Sequence, residues 1–88
     1  KIDALQLVKG SVTVENGAKV VLLNVDQYPS KVPTVKIEAG AIIETLNLNS
    51  INIPNLTGNL TIDDTANITK IIHKGFEYTS IADFKASL

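Results

Sequence analysis

His73 is the single histidine in a chain that has no cysteine. The missing thiol excludes a cysteine nucleophile, a disulfide framework and a cysteine metal site. No serine sits in a nucleophile elbow, so His73 has no hydrolase motif to serve. It occupies a place that other copies of a repeated pattern give to an aliphatic residue, and it is expected as a partly buried edge residue under a C-terminal cap. Glu15, Glu38 and Asp63 hold more promise. Each follows a short alternating run and precedes a small-residue corner: Asn16-Gly17-Ala18, Ala39-Gly40-Ala41 or Asp64-Thr65-Ala66. Stacked on one outer face, they would form a column of carboxylates, the one candidate binding site. Hard cations such as Ca²⁺ take carboxylate oxygens, but neither the EF-hand loop nor the glycine-aspartate nonapeptide is present. Lys19, Lys36 or solvent is enough to offset such exposed charges. Two carboxylates are also the minimum for glycoside hydrolysis, yet a flat face without a cleft or an aromatic platform does not suit a sugar. No catalytic residue, metal or cofactor is expected, and the chain does not read as an enzyme.

The elements that position these carboxylates come from a repeat. Residues 12–25 align without a gap on residues 35–48, offset by 23, with Val, Glu, Gly, Ala, Leu and Asn at matching places. The form apolar-x-x-apolar-x-apolar appears in Ile2-Asp3-Ala4-Leu5-Gln6-Leu7, in residues 20–25 and in residues 43–48. A fourth copy, residues 68–73, ends on His73. The preceding half-unit recurs as Val12-Thr13-Val14, Val35-Lys36-Ile37 and Leu60-Thr61-Ile62.

Period-2 alternation in each segment indicates strands, and the corners break helices. A repeat of 20-odd residues made of strand, corner, strand and loop points to a solenoid. The expected fold is therefore all-β: a short parallel, right-handed β-solenoid of about three to four coils. Equivalent residues would stack about 4.8 Å apart. Val12, Val35 and Leu60 would form one inward column, and Val14, Ile37 and Ile62 a second. Val20, Ile43 and Ile68 would form a third, and Leu5, Leu23, Leu46 and Ile71 a fourth. Ala18, Ala41 and Ala66 would fill an inner corner. Asn24 and Asn47 would stack outward. The loops absorb the unequal spacing; Tyr28 is expected over one side, and Ile51-Asn52-Ile53 as a third face of its coil.

The end changes character. Lys74-Gly75 reads as a turn among aromatics, and residues 80–88 as a short helix. Ser80 is its N-cap, with Asp83 in a near capping box. Ile81, Phe84 and Leu88 lie on one face at i, i+3 and i+7. So short a helix is marginal alone, and the open end of the last coil is the surface it would cover. The whole chain, residues 1–88, reads as one solenoid domain or fragment, with 1–73 as stacked coils and 74–88 as a C-terminal cap.

Composition limits the partners. With 88 residues there is one domain at most. Ile, Leu and Val must supply the core, because there are two Phe, two Tyr and no Trp or Met. Net charge is −1 and the scattered basic residues are all Lys, so there is no footprint for nucleic acid. No apolar run approaches a membrane span. The first residue is Lys1, without a signal-peptide core, and the chain is expected to have been processed or cut from something longer. Asn55, Asn59 and Asn67 fit the N-glycosylation pattern, which arises easily by chance here.

The run Gly-x-Val-Thr-Val-Glu-x-Gly-Ala-x-Val-x-x-Leu-x-Val, carried by Gly10 through Val25 and again from Val35 to Leu48, resembles β-solenoid repeats of surface-layer and cell-envelope proteins of Gram-positive bacteria. The resemblance covers roughly residues 2–73. It implies an extracellular or cell-surface, noncatalytic structural or adhesion module. Its expected partners are neighbouring domains of the same polypeptide or a second copy through the open N-terminal coil, with a cell-wall glycan as a further candidate. Bactofilins, polymerising β-helix scaffolds, have a comparable pattern with shorter, more uniform coils. Leucine-rich repeats share the period, but their Asn would fall on Ile51.

Overall fold

The computed structural model describes residues 2–7, 10–26, 33–49 and 59–88. Among these, the strands are β1 (Ile2–Leu7), β2 (Ser11–Val14), β3 (Lys19–Val25), β4 (Thr34–Ile37), β5 (Ile42–Asn47), β6 (Leu60–Ile62), β7 (Asn67–His73) and β8 (Phe76–Tyr78). A helix, α1 (Ile81–Ala86), follows. The strands sort into two sheets, β1-β3-β5-β7-β8 and β2-β4-β6. Every pairing is parallel except β7 with β8. The chain is thus mostly strand, with an all-β architecture and one short terminal helix.

The register is the one the repeat predicts. Ile2 pairs with Val20, Val20 with Ile43 and Ile43 with Ile68. Leu5, Leu23, Leu46 and Ile71 follow in the same way. In the smaller sheet Val12 pairs with Val35 and Val35 with Leu60, while Val14, Ile37 and Ile62 form the second column. A parallel sheet places equivalent residues over one another, so a repeated sequence buries itself. Leu23, Leu46 and Ile71 are completely buried, as are Val35 and Ile43. Leu5 and Val12, the first members of their columns, are only half-buried.

The larger sheet does not alternate strictly. Val20, Leu23 and Val25 are buried while Val21 and Leu22 both lie partly exposed between them. β7 repeats the pattern, with Ile68, Ile71 and His73 buried around Thr69 and Lys70. One slip in alternation would ordinarily flip the rest of a strand to the wrong face. Here each strand slips at the same place, so neighbours still match.

The C-terminal part departs from expectation. Lys74-Gly75 is a two-residue hairpin turn with positive φ at both positions, 50° and 81°. That is the backbone of a type I′ turn, which matches the twist of the strands it joins. It returns the chain as β8, a strand antiparallel to β7, where only a turn and aromatics were expected. His73 thus lies under the cap as expected, but β8 covers it too, and it is fully rather than partly buried. It is 2% exposed, in edge-to-face contact with Phe84 at 5.9 Å between ring centroids. The Ser80 cap is as expected: its hydroxyl oxygen accepts from Asp83 N at 3.0 Å. Ile81 and Phe84 are buried, but Leu88 is 49% exposed. The helix stops at Ala86 with Ser87 as its C-cap, so an i+7 partner falls beyond the last turn. Tyr28 and the Ile51-Asn52-Ile53 segment lie outside the described residues.

Candidate functional site

Three corners carry the three acidic residues. Each is a β-turn closed by a backbone bond: Ala18 N to Glu15 O at 3.0 Å, Ala41 N to Glu38 O at 3.1 Å and Ala66 N to Asp63 O at 3.0 Å. The corners also join along the stack. Glu38 N donates to Val14 O and Asp63 N to Ile37 O, both at 2.9 Å. The acidic residues are thus equivalent in the stack, as the sequence predicts.

Their side chains do not do the same thing. Gly17 and Gly40 sit at the third turn position with φ of 83° and 77°, which a type II turn demands there. Thr65 takes that place in the third corner without a positive φ. There Asp63 Oδ1 accepts from Thr65 N at 2.8 Å and from Thr65 Oγ1 at 2.6 Å. This is an Asx-turn, which the shorter carboxylate can make with a residue two places on. Glu38 instead faces Lys36, with Nζ and Oε2 3.8 Å apart. Both side chains are well exposed, so the pair contributes about 0–1 kcal/mol.

The Thr65 hydroxyl, then its backbone N–H, hold the Asp63 carboxyl below its ordinary 3.8, with Lys85 adding in the same direction. A carboxyl whose folded value is depressed contributes stability above its unfolded value and loses it as pH falls through the folded one. The Asp63 contribution is accordingly complete above about pH 4 to 5 and declines below that range. Thr65→Ala should move the Asp63 titration, read from its side-chain carbon shift by NMR, up toward the ordinary value. An unchanged titration would mean that the hydroxyl bond does not form.

Glu38 and Asp63 line an open hollow of about 440 Å³ together with Lys36, Thr61, Asp64 and Lys85. Glu15 does not reach it. Lys85 comes from α1 and bonds Asp64 Oδ1 at 2.7 Å. Two ammonium groups thus meet three carboxylates, and the charges largely offset. At a strand spacing of ~4.8 Å, exposed carboxylates repel by less than about 1 kcal/mol in water, too little to demand a cation. No group of three or more His, Cys, Asp or Glu side chains among the described residues is placed to hold a metal ion. The hollow's polar groups are open to solvent, and His73 lies in the core away from it. Sequence reasoning missed Lys85 and Asp64. Nothing local marks Lys85, because its reach depends on how the helix docks.

A second polar row lies on the outer face of the larger sheet. Gln6, Asn24 and Asn47 share one register. Asn24 Nδ2 donates to Gln6 Oε1 at 2.7 Å, and Gln6 Nε2 donates to Asp26 Oδ2. Asn47 Oδ1 accepts from Asn49 N at 3.0 Å. These amides satisfy one another and the backbone. Among the acceptor asparagines, Asn67 is exposed and Asn59 half-buried, while Asn55 lies outside the described residues.

Neither a protein-family model, nor a curated protein, nor a solved structure matches the chain. No helix among the described residues is long and apolar enough to cross a membrane.

Proposed function

We propose that the chain is a short right-handed β-solenoid of three to four coils. In this reading it serves as a noncatalytic structural or adhesion module of a larger secreted or cell-surface protein, in the manner of surface-layer repeats. One observation carries the reading: the register that buries Leu23, Leu46 and Ile71 in a column leaves Leu5, its first member, half-exposed on a strand that has no further neighbour among the described residues. Right-handed crossovers are the rule for parallel strands in one sheet. Repeat stacks are quasi-one-dimensional, so each end needs either a neighbour or a polar cover.

The residues with the most chemistry support a scaffold better than a reaction centre. Asp63 is engaged in turning the chain, Lys85 in fixing the helix, and His73 in packing against Phe84. The open N-terminal edge suits a neighbouring part of the same polypeptide or a second copy. Titration of the ¹⁵N-labelled chain with cell-wall glycan tests the assignment. A scaffold gives no saturable amide shifts. Saturable shifts around Glu38, Asp63 and Asp64 would replace this reading with a polysaccharide-binding module. Recovery of the chain in the cell-envelope fraction is the expected result for compartment; recovery in the cytoplasm contradicts it.

A further inference from the structure

The two ends of the strand stack are not alike. At the N-terminal end, β1 and β2 are the outer strands of their sheets. Ile2 there is 46% exposed, and Leu5, Leu7 and Val12 are half-buried. At the other end, residues 74–88 cover the edge that a following repeat would take on the larger sheet and bond one carbonyl of the smaller. β8 takes the outer edge of β7, but runs antiparallel and for three residues only. On the smaller sheet, no strand lies beyond β6 among the described residues. In that sheet each inner carbonyl of one column is bonded by the next repeat: Val14 O accepts from Glu38 N, and Ile37 O from Asp63 N. The third member, Ile62 O, accepts from Lys85 Nζ. An ammonium group from α1 therefore stands where the next repeat's backbone N–H would stand.

This substitution is anchored at several points. Phe84 is fully buried against His73 and Tyr78. Gly75 N donates to Asn49 Oδ1 at 2.6 Å, tying the hairpin to the preceding repeat. Lys85 also bonds Asp64, at 2.7 Å.

We propose that residues 74–88 are a stop that mimics the next repeat and thereby prevents a second copy of this chain from continuing the stack. The inference rests on the stacked-repeat reading above. The occupant it excludes is the β1–β2 end of another molecule. The columns specify that partner. Ile2 and Leu5 of a second copy would follow Ile68 and Ile71 as those follow Ile43 and Leu46. The contact would repeat the internal one, with parallel pairing on both sheets. With the stop in place, copies can meet only through their open ends, and growth ends at two. With it released, each copy has two complementary ends and growth is unlimited. A very short last strand with a helix behind it is a known way to blunt such an edge.

Phe84→Asp in the full chain tests this, since a carboxylate cannot remain in the buried site against His73 and Tyr78, so the helix must leave and β8 loses the packing that holds it on β7. Sedimentation velocity over a concentration series is the readout, with circular dichroism reporting retained sheet. The expected result is a shift from a species no larger than a dimer to assemblies that grow with concentration. Adding Leu5→Lys, at the opposite end, should abolish that growth. A folded Phe84→Asp chain that stays at or below a dimer overturns the proposal. So does growth indifferent to Leu5→Lys, because it is then not end-to-end. Should Phe84→Asp fail to fold, Gly75→Val decides. The hairpin turn needs a positive φ at Gly75, so this change releases β8 from the edge of β7 together with the helix behind it and should give association that Leu5→Lys removes; a folded variant that associates no more than the unsubstituted chain overturns the proposal. Cross-strand contacts in the unsubstituted chain separate this failure from failure of the stack itself.

Discussion

Leu46→Ala is expected to lower the unfolding free energy by about 3–4 kcal/mol, and Leu5→Ala in the same column by roughly 1 kcal/mol. Leu46 is fully buried between Leu23 and Ile71, themselves fully buried. Truncation there loses the transfer energy of the side chain and leaves a cavity walled by stacked backbones that cannot close in. Among the described residues Leu5 has a stacked neighbour on one side only, and it is already partly in water. An 88-residue chain has a total stability of about 4–13 kcal/mol, so the first loss takes a large share of it. Urea unfolding of the two variants at 25 °C reads the difference from their midpoints. Equal losses would show that β1 is covered, and the open-ended stack would then be wrong.

Gly40→Ala should cost about 2 kcal/mol, against about 1 kcal/mol for Gly17→Ala. The two glycines are equivalent in the repeat and have nearly the same positive φ, so the strain of placing a Cβ there is common to both. They differ in what the methyl group would meet. At Gly17 there is open space, whereas at Gly40 the new Cβ would stand 2.1 Å from Asn16 Oδ1. Asn16 is exposed and can swing aside, which keeps the extra cost to about 1 kcal/mol. Asn16→Ala combined with Gly40→Ala should return the loss to the Gly17→Ala level. A double-mutant cycle with no coupling would mean that Asn16 does not lie over the second corner.

The parallel columns were legible in the sequence for a physical reason. In a parallel stack, equivalent residues face one another, so a recurring pattern states the register directly. Even the irregular apolar-x-x-apolar-x-apolar form was correct, because the strands share their slip. β8 was not legible. Three residues paired antiparallel leave too little alternation to read, and the Lys74-Gly75 turn was its one local signal. α1 was found through Ser80, a local cap, but its length was not. Leu88 satisfied the periodicity of a helix that ends two residues earlier. For the acidic residues, position was legible and chemistry was not. Glu15, Glu38 and Asp63 are equivalent in the backbone, yet Thr65 in place of a glycine engages Asp63 in the turn. Lys85 and its bond to Ile62 O depend on tertiary docking alone, so no spacing in the sequence marked it.

Parallel stacking in one register underlies the whole fold, and methyl–methyl nuclear Overhauser effects test it most directly. Leu23 and Leu46 should show a strong effect, as should Leu46 and Ile71, because adjacent strands lie about 4.8 Å apart. Leu23 and Ile71, two strands apart at roughly 10 Å, should show none. A direct Leu23–Ile71 effect, or the Hα–Hα effects of antiparallel pairing between β3 and β5, would contradict the stack and everything built on it.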